Sequence, residues 1–424
     1  MLTSTNSIHD RRVVLTVATA LSILVMMVCV SAQSQTYQVL YNFNTGQGAH
    51  PQAGVTFDRA GNIYGTTTAG GSGYGVVYQL APKNGNWSLT PVYVFAGGTQ
   101  GGVPVARVVF GPDGALYGTA RNIVFNLRPR PTPCPSIYCL WNEKTLYSHL
   151  EYASTGDLIW DQAGNIYGTQ SVRYGSVYEL SPSQGSWTYQ DIYDFTGRDD
   201  GESPNGVAVD SAGNLYGTAN SGGQYGYGTV FQLMPGGPPW TETTLHAFTN
   251  GADGAYPVGA ILDSTGNVWG ANSTDGGDNL NPGMGTAFSL VPPYDFQGDF
   301  TTIYTFPCNK DCSQGGGPAR GLTSDSNGNL YGTQLYDGPS KYGHGSVFEL
   351  HYVGSGLWDY ISLYEFCAQE HEPCLDGDTP YSTVTIGSDG NLYGTTNYGG
   401  NDKSCGGLGC GVVWKIALNS SRSD

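Results

Sequence analysis

The sequence predicts an all-β fold, a seven-bladed β-propeller with four antiparallel strands in each blade. A hexapeptide of the form Gly-Asn-Leu-Tyr-Gly-Thr recurs seven times, and repetition of this kind indicates a repeat architecture. Glycine accounts for 64 of the 424 residues while aromatic residues stay plentiful, which is typical of short strands joined by tight turns. The seven copies are Gly61–Thr66, Gly114–Thr119, Gly164–Thr169, Gly213–Thr218, Gly266–Ala271, Gly328–Thr333 and Gly390–Thr395.

The fourth repeat shows the strands of one blade most clearly. Pro204–Asp210 alternates in polarity and predicts a first strand, and the tight turn after it leads into a second strand over Asn214–Ala219. A glycine-rich loop precedes a third strand over Gly228–Leu233, and Trp240–Phe248 predicts a fourth strand that ends in an aromatic residue. Four short strands per ~50–60 residues, repeated in series, indicate propeller blades.

The two ends of the chain predict how the ring closes. The chain begins with an isolated fourth strand over Tyr37–Phe43 and ends on a third strand over Val412–Ile416. An N-terminal strand that completes the last blade would join the two ends and remove the exposed sheet edges. An open solenoid would need capping repeats instead. The expected organisation is a signal peptide over residues 1–32, one propeller domain over residues 33–418 and a polar tail over residues 419–424.

The N-terminal segment predicts export. Arg11 and Arg12 precede an apolar run over Val13–Val30, and the small residues around Ser31 and Ala32 form a cleavage site. A retained membrane anchor is the alternative, because the run has the minimum length of a membrane span. The mature protein is expected to be secreted, periplasmic or bound to the cell surface, as a monomer.

Charge and cysteine content narrow the partners. The net charge of −17 makes nucleic acid and anionic membrane surfaces unsuitable partners. Eight cysteines form close pairs within predicted loops, which in an exported chain predicts four disulfides rather than metal thiolate sites. No Cys-x-x-Cys spacing is present to support the metal alternative. The predicted pairs are Cys134 with Cys139, Cys308 with Cys312, Cys367 with Cys374 and Cys405 with Cys410.

The repeat resembles the tandem GloVer repeat of bacterial exported proteins. The shared pattern combines Gly-hydrophobic-x-x-Asp, Gly-Asn-Leu-Tyr-Gly-Thr-Thr and Gly-x-Val-Phe-x-Leu, and it covers residues 54–416. The resemblance implies a surface or secreted protein without an enzyme activity common to the family. The first two strands are also similar to the NHL propeller repeat, but Gly-Thr follows the tyrosine where that repeat has Val-Ala-Asp.

Recurring carboxylates are the candidate functional residues, with a structural role as the alternative. The aspartates that end the first strands, such as Asp210, are expected to cap turns, because Asp side chains bond their own turn backbone. A second motif, Asp or Gln followed by Gly-x-x-Pro, recurs on the face with the long loops, where binding residues concentrate. Its carboxylates and nearby tyrosines would suit a sugar or a Ca²⁺ ion at the channel mouth, and no other cofactor is expected. The predicted ligand-binding residues are Asp200, Glu202, Asp253, Asp376, Asp378, Tyr227 and Tyr256.

Three functions fit these features. A non-catalytic binding or surface-interaction module, with carbohydrate or a surface protein as its partner, is favoured because no catalytic motif occurs. A propeller enzyme of the lactonase, glycan-lyase or glycosidase kind would use a carboxylate site at the channel mouth. A purely structural envelope protein would bind no ligand. A catalytic propeller should break its repeat at positions that meet in the channel, whereas the breaks found in the sequence are mainly differences in loop length.

Overall fold

The computed structural model describes residues 35–130, 141–150, 156–274, 283–294, 299–307, 316–335, 343–368 and 373–418. Within it, Tyr37–Ala417 forms one compact unit. Met1–Thr36 and Leu418–Asp424 form a second unit, most of which lies outside the described residues. The predicted signal peptide and the polar tail lie outside the described residues as well.

The described residues form seven four-stranded antiparallel sheets, which confirms the seven-bladed β-propeller. The first strand within the described residues is β1 (Thr36–Asn42). Blade 1 contains β2 (Thr56–Phe57), β3 (Ile63–Thr67), β4 (Val76–Lys83) and β5 (Asn86–Val94). Blade 2 contains β6 (Val109–Phe110), β7 (Leu116–Ala120), β8 (Ile123–Arg128) and β9 (Asn142–Tyr147). Blade 3 contains β10 (Ile159–Trp160), β11 (Ile166–Gln170), β12 (Ser176–Ser183) and β13 (Ser186–Asp194). Blade 4 contains β14 (Glu202–Val209), β15 (Leu215–Ser221), β16 (Thr229–Met234) and β17 (Thr241–Ala247).

The remaining blades repeat this order. Blade 5 contains β18 (Ala255–Leu262), β19 (Val268–Thr274), β20 (Gly283–Leu290) and β21 (Phe300–Pro307). Blade 6 contains β22 (Thr323–Ser324), β23 (Leu330–Gln334), β24 (Ser346–Gly354) and β25 (Leu357–Glu365). Blade 7 contains β26 (Thr385–Ile386), β27 (Leu392–Thr396) and β28 (Val412–Ala417). One short 3₁₀ helix among the described residues, Gly98–Gln100, lies between blades 1 and 2.

The N-terminal strand closes the ring as predicted. Blade 7 has the strand order β1-β28-β27-β26, so its outer strand comes from the start of the chain. Just beyond β1, the backbone N–H of Phe43 donates to the carbonyl of Gly411 at 3.0 Å. The ring of Tyr37 stacks on Tyr364 of blade 6 with 3.8 Å between the centroids. The Phe43 bond joins the N-terminal segment to the residue before β28, and the Tyr37 stacking joins blade 7 to blade 6, so β1 is held in the last blade.

The aspartate that ends each first strand caps the turn into the second strand. In blade 4, Oδ1 of Asp210 accepts hydrogen bonds from the backbone N–H groups of Ala212 and Asn214, at 2.8 and 2.9 Å. Its Oδ2 accepts from Nδ2 of Asn214 at 2.8 Å and from the hydroxyl of Tyr216 at 3.3 Å. Gly213 completes the turn with a φ of 88°. The Asp, Asn and Tyr of the repeat therefore form one structural network, as expected for turn capping.

The second glycine of the hexapeptide lies opposite an aromatic residue of the third strand. In blade 4, Gly217 pairs with Phe231, and a Cβ at Gly217 would lie 2.6 Å from the Phe231 ring. The Phe231 ring in turn packs against Phe195 at the end of the preceding blade, with 5.0 Å between centroids. This contact joins each blade to the previous one. The pairs are Gly65/Tyr78, Gly118/Phe125, Gly168/Tyr178, Gly217/Phe231, Gly270/Phe288, Gly332/Phe348 and Gly394/Trp414.

In blades 1, 6 and 7 the threonine of the hexapeptide links neighbouring blades through a hydrogen bond. The hydroxyl of Thr66 donates to the carbonyl of Ala106 in the next blade at 3.1 Å. Thr395 donates in the same way from blade 7 to Ala53 of blade 1, at 3.0 Å. Both acceptors lie in the segment that leads into the innermost strand. The hexapeptide thus positions the residues that face the centre of the ring.

Replacing Gly217 with alanine should destabilise the propeller. The new Cβ would lie 2.6 Å from both the Phe231 ring and the carbonyl oxygen of Gly206, so neighbouring groups must shift. Overpacking of this kind costs about 1–3 kcal/mol in the free energy of unfolding. Urea unfolding of both proteins measures the change. Gly236→Ala is the matched control, because no atom lies within 4 Å of its Cβ, and equal losses in the two variants would contradict this packing.

Candidate functional site in the central channel

A central cavity of about 570 Å³ is lined by residues in or just before the innermost strands of all seven blades. Most of its wall is backbone and small or apolar side chains. The charged and amide side chains that line it are Gln52, Arg107, Asp157, Asn205 and Arg320. A cavity of this size can enclose a small ligand, since binding pockets commonly measure about 300–1,000 Å³.

One position of the repeat explains how charged side chains reach the cavity. In four blades a glycine precedes the hydrophobic residue of the first strand, and these glycines lie on the cavity wall. In blades 2, 3 and 7 the same position holds Arg107, Asp157 and Thr383. The repeat is therefore broken by polar side chains at positions that meet in the channel. The four glycines are Gly54, Gly206, Gly259 and Gly321.

Arg107 and Asp157 form an ion pair across the boundary between blades 2 and 3. The backbone N–H of Arg107 donates to Oδ1 of Asp157 at 2.9 Å, and Nε of Arg107 donates to Oδ2 at 2.9 Å. Nη2 lies 2.8 Å from the same Oδ2, and the two side chains remain 30% and 24% exposed. The pair is thus held in a fixed geometry on the channel wall while staying accessible from the cavity.

Arg320 brings a second cation to the channel from blade 6. Its guanidinium carbon lies 4.1 Å from the centroid of the Tyr381 ring, and Nε donates to the carbonyl of Tyr381 at 3.3 Å. Its enclosed Nη2 has no hydrogen-bond partner within the described residues. Burial lowers the pKa of Arg320 from its ordinary value, while Tyr381 and Asp157 oppose that shift. Arginine keeps its charge in proteins, so the channel contains a half-buried cation that lacks a hydrogen-bonded carboxylate among the described residues.

The two amide side chains are anchored to neighbouring loops. Nδ2 of Asn205 donates to the carbonyl of Pro257 at 2.6 Å, which joins blades 4 and 5. Nε2 of Gln52 donates to Oδ1 of Asn397 at 3.4 Å, which joins blades 1 and 7. Both amides are therefore held in place on the cavity wall, where a hydroxylated ligand could bond to them.

Six of the seven predicted site residues divide into two groups, and the first group closes loops. Asp200 accepts hydrogen bonds from the Thr196 hydroxyl at 2.6 Å, the Thr196 backbone N–H at 2.8 Å and the Tyr193 hydroxyl at 3.1 Å. Asp253 and Asp376 hold the same position after the outer strands of blades 4 and 6. All three carboxylates bond to groups at the ends of outer strands, each within its own loop.

The partners of Asp253 and Asp376 follow the same pattern. Asp253 contacts Nε2 of His246 at 3.1 Å and accepts from the Thr249 backbone at 2.9 Å. Although burial raises the pKa of Asp253, hydrogen bonds from His246 and Thr249 hold it below its ordinary value. Asp376 accepts from the hydroxyl of Tyr364 at 2.7 Å. Through these hydrogen bonds the carboxylates of Asp253 and Asp376 hold their own loops in place.

The second group lies close in sequence to the channel wall. Glu202 precedes the cavity-lining Asn205 by three positions, and Tyr256 precedes the lining Val258 by two. The rings of Tyr227 and Tyr256 meet edge to face with 6.0 Å between centroids. The structure thus brings these two tyrosines together beside the residues that enter the channel.

Asp378 lies beside a histidine and a disulfide. Its Oδ1 is 3.2 Å from Nδ1 of His344, and Sγ of Cys374 is 3.6 Å from the same nitrogen. Among the described residues, the one cluster with metal-ligand spacing is His344, Cys367 and Cys374, but its two sulfurs are joined. A disulfide offers no thiolate to a metal, so the imidazole of His344 is the one remaining metal ligand in this cluster.

Two of the four predicted disulfides are confirmed within the described residues. Cys367 bonds to Cys374, and Cys405 bonds to Cys410. The other two predicted disulfides lie outside the described residues and stay predictions; they would join Cys134 to Cys139 and Cys308 to Cys312.

The described residues contain no helix with the length and apolar character needed to span a membrane.

The channel residues Arg107, Asp157, Asn205 and Arg320 were not among the residues predicted from the sequence. The signal for two of them was present in the repeat. When the seven copies are aligned on the glycine before the first strand, Arg107 and Asp157 are the charged exceptions. Arg320 has no such signal, because the position before this glycine varies between blades.

The comparisons with known proteins agree with the repeat and the fold. Residues 140–343 match the family model described as the Gloeobacter/Verrucomicrobia repeat. No curated protein matches the chain in sequence.

The solved structures with a similar fold are distant in sequence. The extracellular domain of a one-component system from B. thetaiotaomicron is 12% identical with a TM-score of 0.52, over 91% of this chain and 40% of that chain. A protein described as an oxidoreductase (glucose dehydrogenase) from Thermus thermophilus is 14% identical with a TM-score of 0.44, over 91% and 100% of the two chains. A Trichoderma reesei carbohydrate-active enzyme of family AA12 is 13% identical with a TM-score of 0.44, over 92% and 97%. At these identities the similarity concerns the fold alone.

Glu242 near Asp200 should make stability depend on pH. The pKa of Glu242 is raised from its ordinary 4.5 to about 7. Burial is the largest cause; a hydrogen bond from Thr244 opposes the rise, and the charge of Asp200 adds to it. The folded state therefore binds more protons than the unfolded state between these two values, so stability falls as pH rises through this window. Glu242→Gln should remove this loss, and because the group is partly exposed we expect an effect on the order of 1 kcal/mol.

Urea unfolding at pH 4, 5.5 and 7.5 checks this expectation. The free energy of unfolding of Glu242→Gln, relative to the wild type, should increase from the lowest to the highest pH. A difference that stays constant across the three pH values would contradict the assigned shift.

Proposed function

Because the chain is a β-propeller built from Gloeobacter/Verrucomicrobia repeats, we propose that it is an exported, non-catalytic module that binds carbohydrate in its central channel. The observation that carries this proposal is the replacement of the channel glycine by Arg107 and Asp157 in two adjacent blades. A ring that serves only as a scaffold has no need of an ion pair on its channel wall. The break in the repeat therefore favours a ligand over a purely structural role.

The chemistry of the wall suits a molecule with several hydroxyl groups. A sugar hydroxyl both donates and accepts, and the wall offers guanidinium donors, a carboxylate acceptor and two amides. Arg107 and Asp157 are held by their mutual bonds, so their remaining hydrogen-bonding capacity is oriented before a ligand arrives. Such preorganised polar groups within a small cavity are the usual means of ligand recognition.

The channel rim extends this site. We place Glu202, Asp378 and the paired rings of Tyr227 and Tyr256 at the mouth, where the tyrosines offer apolar faces to a sugar ring. The carboxylates of Glu202 and Asp378 are also the residues through which Ca²⁺ would act if binding requires it.

Binding is favoured over glycoside hydrolysis by the number of carboxylates. Asp157 is the one carboxylate among the described residues that line the cavity, and both of its oxygens bond to Arg107. Glycosidases generally need two carboxyl groups on either side of the scissile bond. A lactonase or lyase reaction remains the alternative and would be detected as product formation in the experiment below.

Export rests on the N-terminal segment and the disulfides. The charged start, apolar run and small-residue site within residues 1–32 match a signal peptide. Disulfides such as Cys405–Cys410 persist in oxidising compartments. Both features support a secreted, periplasmic or surface-bound mature protein.

The proposal is tested by glycan binding of the mature chain, residues 33–424. A glycan array identifies the bound sugars, and titration calorimetry with and without a chelator gives their affinities and any dependence on Ca²⁺. Asp157→Asn and Arg107→Gln should each weaken binding at least tenfold, because each breaks a charge-assisted pair that presents the ligand contacts.

Asp199→Asn is the matched control, because Asp199 is exposed and does not line the channel. It should bind with wild-type affinity. Absence of any glycan binding, or a loss in Asp199→Asn equal to that in Asp157→Asn, would overturn the channel site. Release of a cleaved or ring-opened product would favour the enzyme alternative.

A further inference from the structure

We infer that the ligand of the channel carries a carboxylate group and that Arg320 binds it. This inference rests on the proposed function and narrows the ligand from carbohydrate in general to acidic sugars. The structural basis is a cation on the channel wall that makes no hydrogen bond to a carboxylate among the described residues.

The charge of the channel differs in sign from that of the protein. The chain carries a net charge of −17, yet the charged residues lining the cavity are Arg107, Asp157 and Arg320. Arg107 and Asp157 cancel, so Arg320 leaves one net positive charge in the cavity. The net negative charge of the protein repels anions at long range. The positive site in the cavity therefore attracts an anion through short-range contact.

The hydrogen bonds of Arg320 are incomplete. A guanidinium has five N–H donors, but the partners found are the carbonyl of Tyr381 for Nε and the ring of Tyr381 for the cationic face. Nη2 has none within the described part of the chain. Because Arg320 is half-buried and has no carboxylate partner among the described residues, an anion in the cavity would pair a charge that is only partly hydrated.

The geometry favours a carboxylate. The Tyr381 ring lies against the guanidinium at 4.1 Å, and the bond from Nε fixes its rotation. A guanidinium held in this way donates a charge-assisted hydrogen bond to a carboxylate from the part of the group that faces the cavity. A single arginine balances the single charge of a carboxylate but only part of the charge of a phosphate monoester.

Arg320 and the Arg107–Asp157 pair belong to one site. All three line the same cavity, and the charge of Asp157 contributes to the pKa of Arg320. A uronic acid has a carboxylate on one side of its ring and hydroxyls on the other. One such unit could therefore bond to Arg320 through its carboxylate and to Asp157 or Asn205 through its hydroxyls.

The test compares sugars that differ only in the acidic group. Calorimetry on the mature chain measures D-galacturonate against D-galactose, and D-glucuronate against D-glucose, each also as a short oligosaccharide. Uronates should bind at least tenfold more tightly than the matching neutral sugars. A charge-assisted hydrogen bond to arginine contributes enough binding free energy to account for about a tenfold difference in affinity. The preference should shrink as NaCl is raised, because salt screens the attraction.

Arg320→Gln should reduce uronate affinity tenfold or more, so that uronates and neutral sugars bind with similar affinity. Arg320→Lys should retain the charge and lose the planar guanidinium, so its preference for uronates should lie between those of the wild type and Arg320→Gln. Circular dichroism and the midpoint of thermal unfolding show whether each variant is folded. If Arg320→Gln fails to fold, the salt dependence and the uronate preference of the wild type still decide the inference.

The outcomes separate this inference from the proposed function. Equal affinity for uronates and neutral sugars would overturn the inference and leave the carbohydrate module intact. Tighter binding of sulfated or phosphorylated sugars than of uronates would overturn the carboxylate assignment. If no sugar binds but a carboxylate without a sugar ring, such as acetate, does bind, the anion site stands and the carbohydrate proposal fails. Binding of none of these probes would overturn both.

Discussion

The contact on which the fold depends is the pairing of a glycine in each second strand with an aromatic ring in the third. The ring lies where a Cβ of its partner would be, as Phe231 does over Gly217, and it then packs against the preceding blade. A small residue is required on one strand because a large residue on the next fills both the sheet surface and the space between blades. The rest of the repeat is arranged around this contact. Asp, Asn and Tyr close the turn on one side, and in blades 1, 6 and 7 the threonine bonds to the next blade on the other.

The close approach of neighbouring blades limits which side chains fit at the channel wall. The segments before the innermost strands of adjacent blades approach closely, so that a Cβ at Gly259 would lie 3.3 Å from Gly321. Charged side chains are accommodated at this position only where they face the cavity and find a partner, as Arg107 and Asp157 do. Arg320 lies one position earlier in the repeat, where it is held by Tyr381 and makes no hydrogen bond to a carboxylate among the described residues. A rigid ring thus presents one fixed ion pair and one incompletely bonded cation, which together define the proposed carbohydrate site.

The fold could be predicted from the sequence because its determinants are local and repeated. The copies around Gly213 and the isolated first and last strands indicate both the blade and the closure of the ring. The site could not be predicted in the same way. Asp200 looks like a ligand-binding residue in the sequence, but whether its carboxylate faces solvent or the Thr196 backbone is decided by the loop conformation. Arg320 lies in a variable position, and its importance arises from Tyr381 in the next blade, a neighbour 61 residues away. The sequence-based expectation that repeat breaks are mainly loop lengths was incomplete for this reason.

Recognition of an acidic sugar by the channel, through Arg320 and the Arg107–Asp157 pair, is the central claim. A crystal structure of the mature protein grown with D-galacturonate tests it most directly. The sugar ring should occupy the central channel, with its carboxylate within hydrogen-bond distance of the Arg320 guanidinium and a hydroxyl on Asp157 or Asn205. A sugar bound on the outer loops, with the channel free of it, would contradict the claim.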